Sequence, residues 1–496
     1  PPPLLFSASH CPHVIVATET HGGVEGAEMG DKSSVSSEVK KQLRLACPLV
    51  TGCLLQYVVQ MVSVMFVGHL GKVELAGAAV ATSFAGVTGF SLLVIITHKH
   101  IPEFHSYLLH SLPCHWIATN TRPCQTGMAC SLDTLCGQAY GAGQHHQLGV
   151  YKQRAMLVLA LVSVPVAALW AFAGEALARC GQDPEIASAA GSYIRCLIPA
   201  LFLFGQLQCH ARFLQAQNAV VPVMLSSGAA ALAHPAVCWL LVHRLGMGNR
   251  GAALANGVSY LANLSFLALY VRLSPSCKTT WAGFSTEALR CIPGFLKLAV
   301  LSALMVCIEW WTFELPMLLS GRLPNPKLEA AVLSICFNTN SLAFMVATGL
   351  GAAISTRVSN ELGAGRPQAA RLAGKVGWFV ALCIGVSEGL VVVLVRDVWG
   401  YAYSNDKDVT SYMTRMMPLI AASIMLDCQQ SSLSGVLRGC GEQKIGAFIN
   451  LAAYYLVGIP VAVVFAFIIH LGGKALKAND RLSITTRPID MTSRDV

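Results

Sequence analysis

Apolar runs of about twenty residues recur along most of the chain, separated by short polar breaks. A run of that length is what a helix needs to cross a bilayer, because a rise of about 1.5 Å per residue must cover about 30 Å of hydrocarbon. Runs fall near residues 43–67, 74–96, 155–173, 193–214, 220–243 and 251–272. After a polar connection containing Ser274 to Lys278 they resume near 294–320, 329–352, 372–395, 412–437 and 444–470. They are rich in Ala, Leu and Val without strand-like alternation, and in lipid each backbone donor and acceptor has to be satisfied inside its own segment. The pattern predicts an all-α, polytopic membrane protein.

The runs group into two halves that read as copies of one unit. Gly68-His69-Leu70-Gly71 opens the second run and Gly321-Arg322-Leu323-Pro324 opens the eighth; Gly141-Ala142-Gly143 is matched by Gly363-Ala364-Gly365. Asp183-Pro184-Glu185-Ile186 ahead of Pro199 is echoed by Asp406-Lys407-Asp408-Val409 ahead of Pro418. Copies with an even number of spans lie parallel, related by an axis along the membrane normal. The repeat also exposes an excess, since Glu74 to Gly141 is 67 residues and Glu329 to Gly363 is 34. Residues about 94–126 account for it, and their polar character makes them an atypical insertion in the second run, read as translated intron. The functional alternative is a metal loop drawn from His98, His100, His105, His110, Cys114 and His115, whose spacing fits no standard site. The second half has five runs, so its last helix is expected to be missing. The expected organisation is a non-membrane segment 1–37, in which 1–28 precede a natural start at Met29; a first lobe 38–273; a connection 274–293 on the cytoplasmic side; a second lobe 294–473; and a polar tail 474–496.

Composition agrees with a lipid solvent: 54% of the 496 residues are hydrophobic and 12% charged, and the mean hydropathy is +0.57. The net charge of +9 does not indicate nucleic acid, because Lys and Arg are dispersed singly and form no basic stripe with interleaved aromatics. Read as topology signals, seventeen fall on the side of the N-terminus, among them Lys152, Arg154, Arg212, Arg357 and Arg438, against ten on the other. That bias places the N-terminus in the cytoplasm. The eighteen cysteines include no CxxC pair and sit mostly in or beside the spans, as small reduced hydrophobes. No metal site is expected.

A carboxylate at the centre of a bilayer costs roughly 2.5–3.5 kcal/mol on insertion scales, so an acid within a span is a functional candidate by default. Glu309 and Glu314 lie in the seventh run, Glu388 in the ninth and Asp427 in the tenth. A carboxyl group taken out of water holds a proton more readily, and a proton and a cationic guest then compete for one negative charge. Glu388 has a packing alternative near the interface, and Asp133, near the end of the second run, reads at least as well as a structural group. Trp310, Trp311 and Phe313 offer aromatic surface to a flat or cationic ligand, although aromatics at helical spacing are more often packing. The glycines of Arg438-Gly439-Cys440-Gly441 follow no strand and make no phosphate loop, so energy is expected from an ion gradient.

Five segments resemble the multidrug and toxic compound extrusion (MATE) family, particularly its plant detoxification branch: Gly68 to Gly71, Leu132-Asp133-Thr134-Leu135-Cys136-Gly137-Gln138 through Ala142, Phe213-Leu214-Gln215-Ala216-Gln217-Asn218, Ser355 to Gly365, and Val436 to Gly441. The resemblance covers about residues 38–473 apart from the insertion. It implies two six-helix lobes in a V related by a pseudo-two-fold axis, and an efflux transporter rather than an enzyme. It further implies alternating access that exchanges protons, less readily sodium, for organic cations, alkaloids, flavonoids or organic acids. Glu309, Glu314 and Asp427 match the acids that handle protons and substrate in eukaryotic members. Gln56 and Gln60 stand where prokaryotic relatives carry an acid. Trp310, Trp311, Asn338 and Glu388 are further cavity-lining candidates. The expected partners are a small organic substrate and the lipid bilayer, with no nucleic acid and no cofactor beyond the proton gradient; the protein is expected to be a monomer in the plasma or vacuolar membrane. The alternatives are a lipid or oligosaccharide flippase of related two-lobe fold, which favours a more basic cavity, and a non-transporting membrane scaffold.

Overall fold

The computed structural model describes residues 35–71, 73–78, 80–81, 121–179, 183–320, 326–403 and 406–458, without the side chains of 121–123, 311–320, 326–327, 329–331 and 457. The described residues are helical with no strand. The first half contributes α1 (Val35–Gly68), α2 (Thr121–Ala129), α3 (Ser131–Gly141), α4 (His145–Ala171), α5 (Pro184–Ala216), α6 (Val221–Trp239) and α7 (Gly248–Leu273). The second contributes α8 (Ile292–Ser320), α9 (Pro326–Gly363), α10 (Pro367–Leu394), α11 (Lys407–Cys440) and α12 (Gln443–Asn450). Among the described residues nine helices are long and apolar enough to cross a membrane. Most of the insertion and the end of the eleventh run lie outside the described residues. Cys124 and Gln125, which the sequence reading assigns to the insertion, are buried in the first half, where Gln125 Nε2 donates to Ser163 Oγ at 2.8 Å.

The helices overrun the apolar runs that predict them. The run 329–352 becomes the 38-residue α9, whose extra turns carry Ser355, Thr356, Arg357, Ser359, Asn360 and Glu361. Thr356, Arg357, Ser359 and Asn360 are tolerated there because they meet the other half of the protein, not lipid, and Glu361 because it pairs with Arg357 and Arg366. The repeated acidic starts have a local cause: Asp183 caps α5 by accepting from the amides of Glu185 and Ile186 at 3.0 and 3.2 Å, and Asp406 caps α11 by accepting from that of Asp408 at 2.8 Å. Gly441, with φ +86°, ends α11 in the left-handed conformation that glycine adopts without strain.

The two halves exchange equivalent contacts. α1 packs on α9, and α8, the counterpart of α1, packs on α2. At the end of the bundle shared by the start of α1 and the ends of α3, α5, α9 and α11, called the base below, the exchange reaches single residues. A Cβ on Gly141 would lie 2.0 Å from the Asn360 carbonyl, and one on Gly363 would lie 2.0 Å from the Gln138 carbonyl. Gln138 and Asn360 each precede their glycine by three residues, so the contact is made twice by a pseudo-two-fold axis.

The connection between the halves is strapped to the base of the first. Gln153 donates to the Gly283 carbonyl at 2.6 Å and accepts from the Ser285 amide at 2.8 Å, Thr280 donates to Gln217 at 2.8 Å, and Arg154 reaches the Ala288 carbonyl at 3.3 Å. Beneath it Lys152 is fully buried, its Nζ 4.0 Å from the Trp281 ring centre and 4.7 Å from that of Phe213, with no hydrogen-bond acceptor. Trp281→Ala is expected to lower stability by about 1–2 kcal/mol through loss of ring packing and the cation–π contact. Lys152→Met, which keeps length and the packing on both rings and removes a buried amine without a hydrogen-bond acceptor, is expected to raise it. Thermal melts of the detergent-solubilised protein check both signs.

Candidate functional site

Two charged clusters close the halves on each other at the base. In one, Arg357 of α9 forms a two-pronged pair with Glu38 of α1, both contacts at 2.9 Å, and also bonds Glu361 at 2.7 Å; Arg366 pairs with Glu361 at 2.8 Å. Glu38 is 2% exposed, so this pair works outside bulk water, where a forked guanidinium–carboxylate contact is strong. In the other, Asp133 of α3 is held by Arg212 of α5 at 3.1 Å, while Arg438 of α11 stands 3.9 Å away. Neutral bonds knit the same surface: Thr134 donates to the Arg438 carbonyl, Gln443 to Thr134 at 2.7 Å, and Gln215 to the Ala352 carbonyl at 3.1 Å and Thr356 at 3.0 Å.

Above the base the interior of the second half is polar. Asp427 of α11 is 6% exposed and accepts from Asn340 Nδ2 at 2.9 Å, while the buried Asn340 Oδ1 has no hydrogen-bond partner. Glu309 of α8 is 5% exposed and is hydrogen-bonded by Gln430, which lies one turn from Asp427 on the same face of α11. Gln429 is buried with neither side-chain atom bonded. This region combines two carboxylates with the unfilled acceptors of Asn340 and Gln429 and holds no cation among those side chains, a composition that suits a guest bringing protons or positive charge.

Glu309 and Asp427 thus meet one helix face. Glu388 lies apart, half-buried on α10 with Cys428 Sγ at 3.6 Å from its carboxylate. Asn338 is half-buried, but the amide that holds Asp427 belongs to Asn340, two residues on and about 200° around the helix. Trp310 packs edge-on against Phe344 at 5.9 Å between ring centres. The side chains of Trp311 and Glu314 lie outside the described residues. Gln56 belongs to a separate polar group in the first half, donating to Ser227 at 3.4 Å, with Gln60 half-buried one turn along. Near it His234, fully buried, is bracketed by Ser63 at 2.8 Å and Ser259 at 2.7 Å.

Sequence reasoning passed over Asn340, Gln430, Arg212 and Arg438. A linear count treats the two arginines as loop charges, yet they are 8% exposed and paired inside the protein; Lys152 and Arg154, from the same count, are buried as well. The signal was present, because a cation within Ala211-Arg212-Phe213-Leu214 is as costly in lipid as an acid and calls equally for a partner. Among the described cysteines fourteen are free thiols, whereas Cys291 is disulfide-bonded, a departure from the reduced reading at that position.

Comparison with known proteins bears on this arrangement. The MatE family model matches residues 48–97, 124–240 and 302–464, passing over 98–123. Protein DETOXIFICATION 16 of Arabidopsis thaliana is 51% identical over 452 residues, covering 90% of this chain and 86% of that protein. Protein DETOXIFICATION 14 of the same plant is 40% identical over 449 residues, covering 90% and 86%. The crystal structure of the eukaryotic MATE transporter AtDTX14 superposes with a TM-score of 0.79 at 40% identity, covering 90% of this chain and 93% of that one. An outward-facing multidrug resistance MATE transporter of the MOP superfamily, at 14% identity and a TM-score of 0.75, shares the fold.

Proposed function

We propose, on the premise that this chain belongs to the multidrug and toxic compound extrusion family of membrane transporters, that it expels organic cations and related amphipathic compounds in exchange for protons at the carboxylates of its second half. The observation that carries the reading is the pair of buried acids Glu309 of α8 and Asp427 of α11, the first reached by Gln430 one turn from the second, beside the unpartnered acceptor of Asn340. A carboxylate out of water is stabilised by a proton or by a bound cation, and one negative charge cannot satisfy both at full strength. A substrate entering from the cytoplasm neutralises the site, and on the more acidic side a proton takes its place. With the N-terminus in the cytoplasm, in a plasma or vacuolar membrane, the base, which holds the start of α1, is the cytoplasmic end, and it is the end closed in this conformation.

Uptake of an organic cation by proteoliposomes under an imposed pH gradient tests the reading. Transport should follow the gradient, and Glu309→Gln and Asp427→Asn should each reduce the gradient-driven rate by about tenfold or more, the equivalent of about 1.4 kcal/mol of lost charge interaction. Transport indifferent to the gradient, or unchanged in both variants, would show that another ion or other groups provide the coupling.

A further inference from the structure

We infer that Arg438 is a positioning residue that links the load on Glu309 to closure of the halves at the base, an inference that rests on the proton-exchange reading above. Gln430, Ser434 and Arg438 are spaced by four along α11 and so stand one above another. Gln430 hydrogen-bonds Glu309 at the upper end and donates to Ser434 Oγ at 3.1 Å. Arg438, at the lower end, is 8% exposed, and its Nε has no hydrogen-bond partner although it stands 3.9 Å from Asp133 Oδ2. These three polar side chains, half-buried at Gln430 and buried at Ser434 and Arg438, line one face of α11 between the interior acid and the inter-half ion pair. The ends of this row are linked through charge, because the Arg438 guanidinium acts on the Glu309 carboxylate.

The charges around Arg438 come from each neighbouring helix. Asp133 and Cys130 approach from the α3 side, Arg212 from α5 and Glu309 from α8. Arg357 and Glu361 on α9 are committed to Glu38 and Arg366, and Arg371, Lys375, Glu442 and Lys444 are exposed. Arg438 therefore shares one charge between two carboxylates, Asp133 in the first half and Glu309 in its own. When Glu309 is ionised and empty it draws on that charge and withholds it from Asp133. A proton or a cationic substrate on Glu309 releases Arg438 to Asp133 and strengthens closure across the interface. Either load permits closure and the empty site opposes it, which is the condition for exchange without an idle cycle.

The test uses the full chain in proteoliposomes, with hydrogen exchange of the Ser131–Gly141 amides as the readout of closure and the pH midpoint of organic-cation binding as the readout of Glu309. In the wild type, protection of this helix should rise as pH falls. Glu309→Gln should leave it high at all pH, and Arg438→Gln low at all pH. The binding midpoint should move up by about one pH unit in Arg438→Gln, where a cation is lost, and down by a similar amount in Asp133→Asn, where Arg438 faces Glu309 alone. Arg438→Lys, which keeps the charge, should restore the pH dependence of protection and carries the test if Arg438→Gln fails to fold. Shifts of one sign in both variants, or wild-type pH dependence in Arg438→Gln, would overturn the inference while leaving proton exchange standing. A wild type whose transport ignores the pH gradient overturns the reading beneath it.

Discussion

Gly363→Ala is expected to force the two halves apart at the base and to depopulate the closed conformation, with Gly141→Ala doing the same from the other side of the pseudo-two-fold axis. In each case the added methyl would lie 2.0 Å from a backbone carbonyl oxygen, of Gln138 or Asn360. A backbone atom cannot rotate away as a side chain can, so relief requires the helices to separate. Overpacking of this kind costs about 1–3 kcal/mol, and here the strain falls wholly on one conformation, so the closed population should drop by about fivefold to a hundredfold. The loss should appear as faster hydrogen exchange in Ser131–Gly141 and as slow transport at all pH. Gly294→Ala is the control: it lies in a helix with no atom near the added Cβ, so stability should be unchanged or slightly higher. Equal behaviour of Gly363→Ala and Gly294→Ala would remove the tight crossing as the determinant of closure.

Arg357→Gln is expected to have the second large effect. Its guanidinium is the common partner of Glu38 and Glu361, and Glu38 is 2% exposed. Removing one member of a buried pair leaves an uncompensated charge, a loss of about 3–5 kcal/mol. Arg366 still neutralises part of Glu361, but among the described residues Glu38 has no other cation paired with it. The closed base should therefore lose most of its population, with the α1 amides near Glu38 exchanging at least tenfold faster. Glu38→Gln combined with Arg357→Gln should recover part of the loss, because the pair that cannot be made no longer has a charged survivor. Recovery to no degree in the double variant would mean that Arg357 acts through Glu361 alone.

The membrane class, the helical content and the doubling of the unit follow from local pattern. Long apolar runs state their solvent directly, and the Gly-Ala-Gly and acidic-cap motifs repeat because the same local geometry occurs twice. Asp427 and Glu309 were also legible, since an acid inside an apolar run requires a reason. What surrounds them was not. Asn338 and Asn340 are equally polar and two residues apart, and only the rotation of α9 against α11 puts one of them on Asp427. Arg212 and Arg438 read as loop charges in a linear count, because burial against a distant helix leaves no trace in the spacing of their own.

The amino-acid order by itself determined that this chain inserts in lipid as two related helical halves with ionisable groups in the interior, because hydropathy and charge cost are properties of each segment alone. Tertiary structure alone decided which cation faces which acid, that Gly141 and Gly363 meet backbone of the opposite half, and that the charges close one end of the bundle. Those outcomes depend on distances between residues hundreds of positions apart, such as Glu38 and Arg357, and electrostatic and contact energies depend on separation in space.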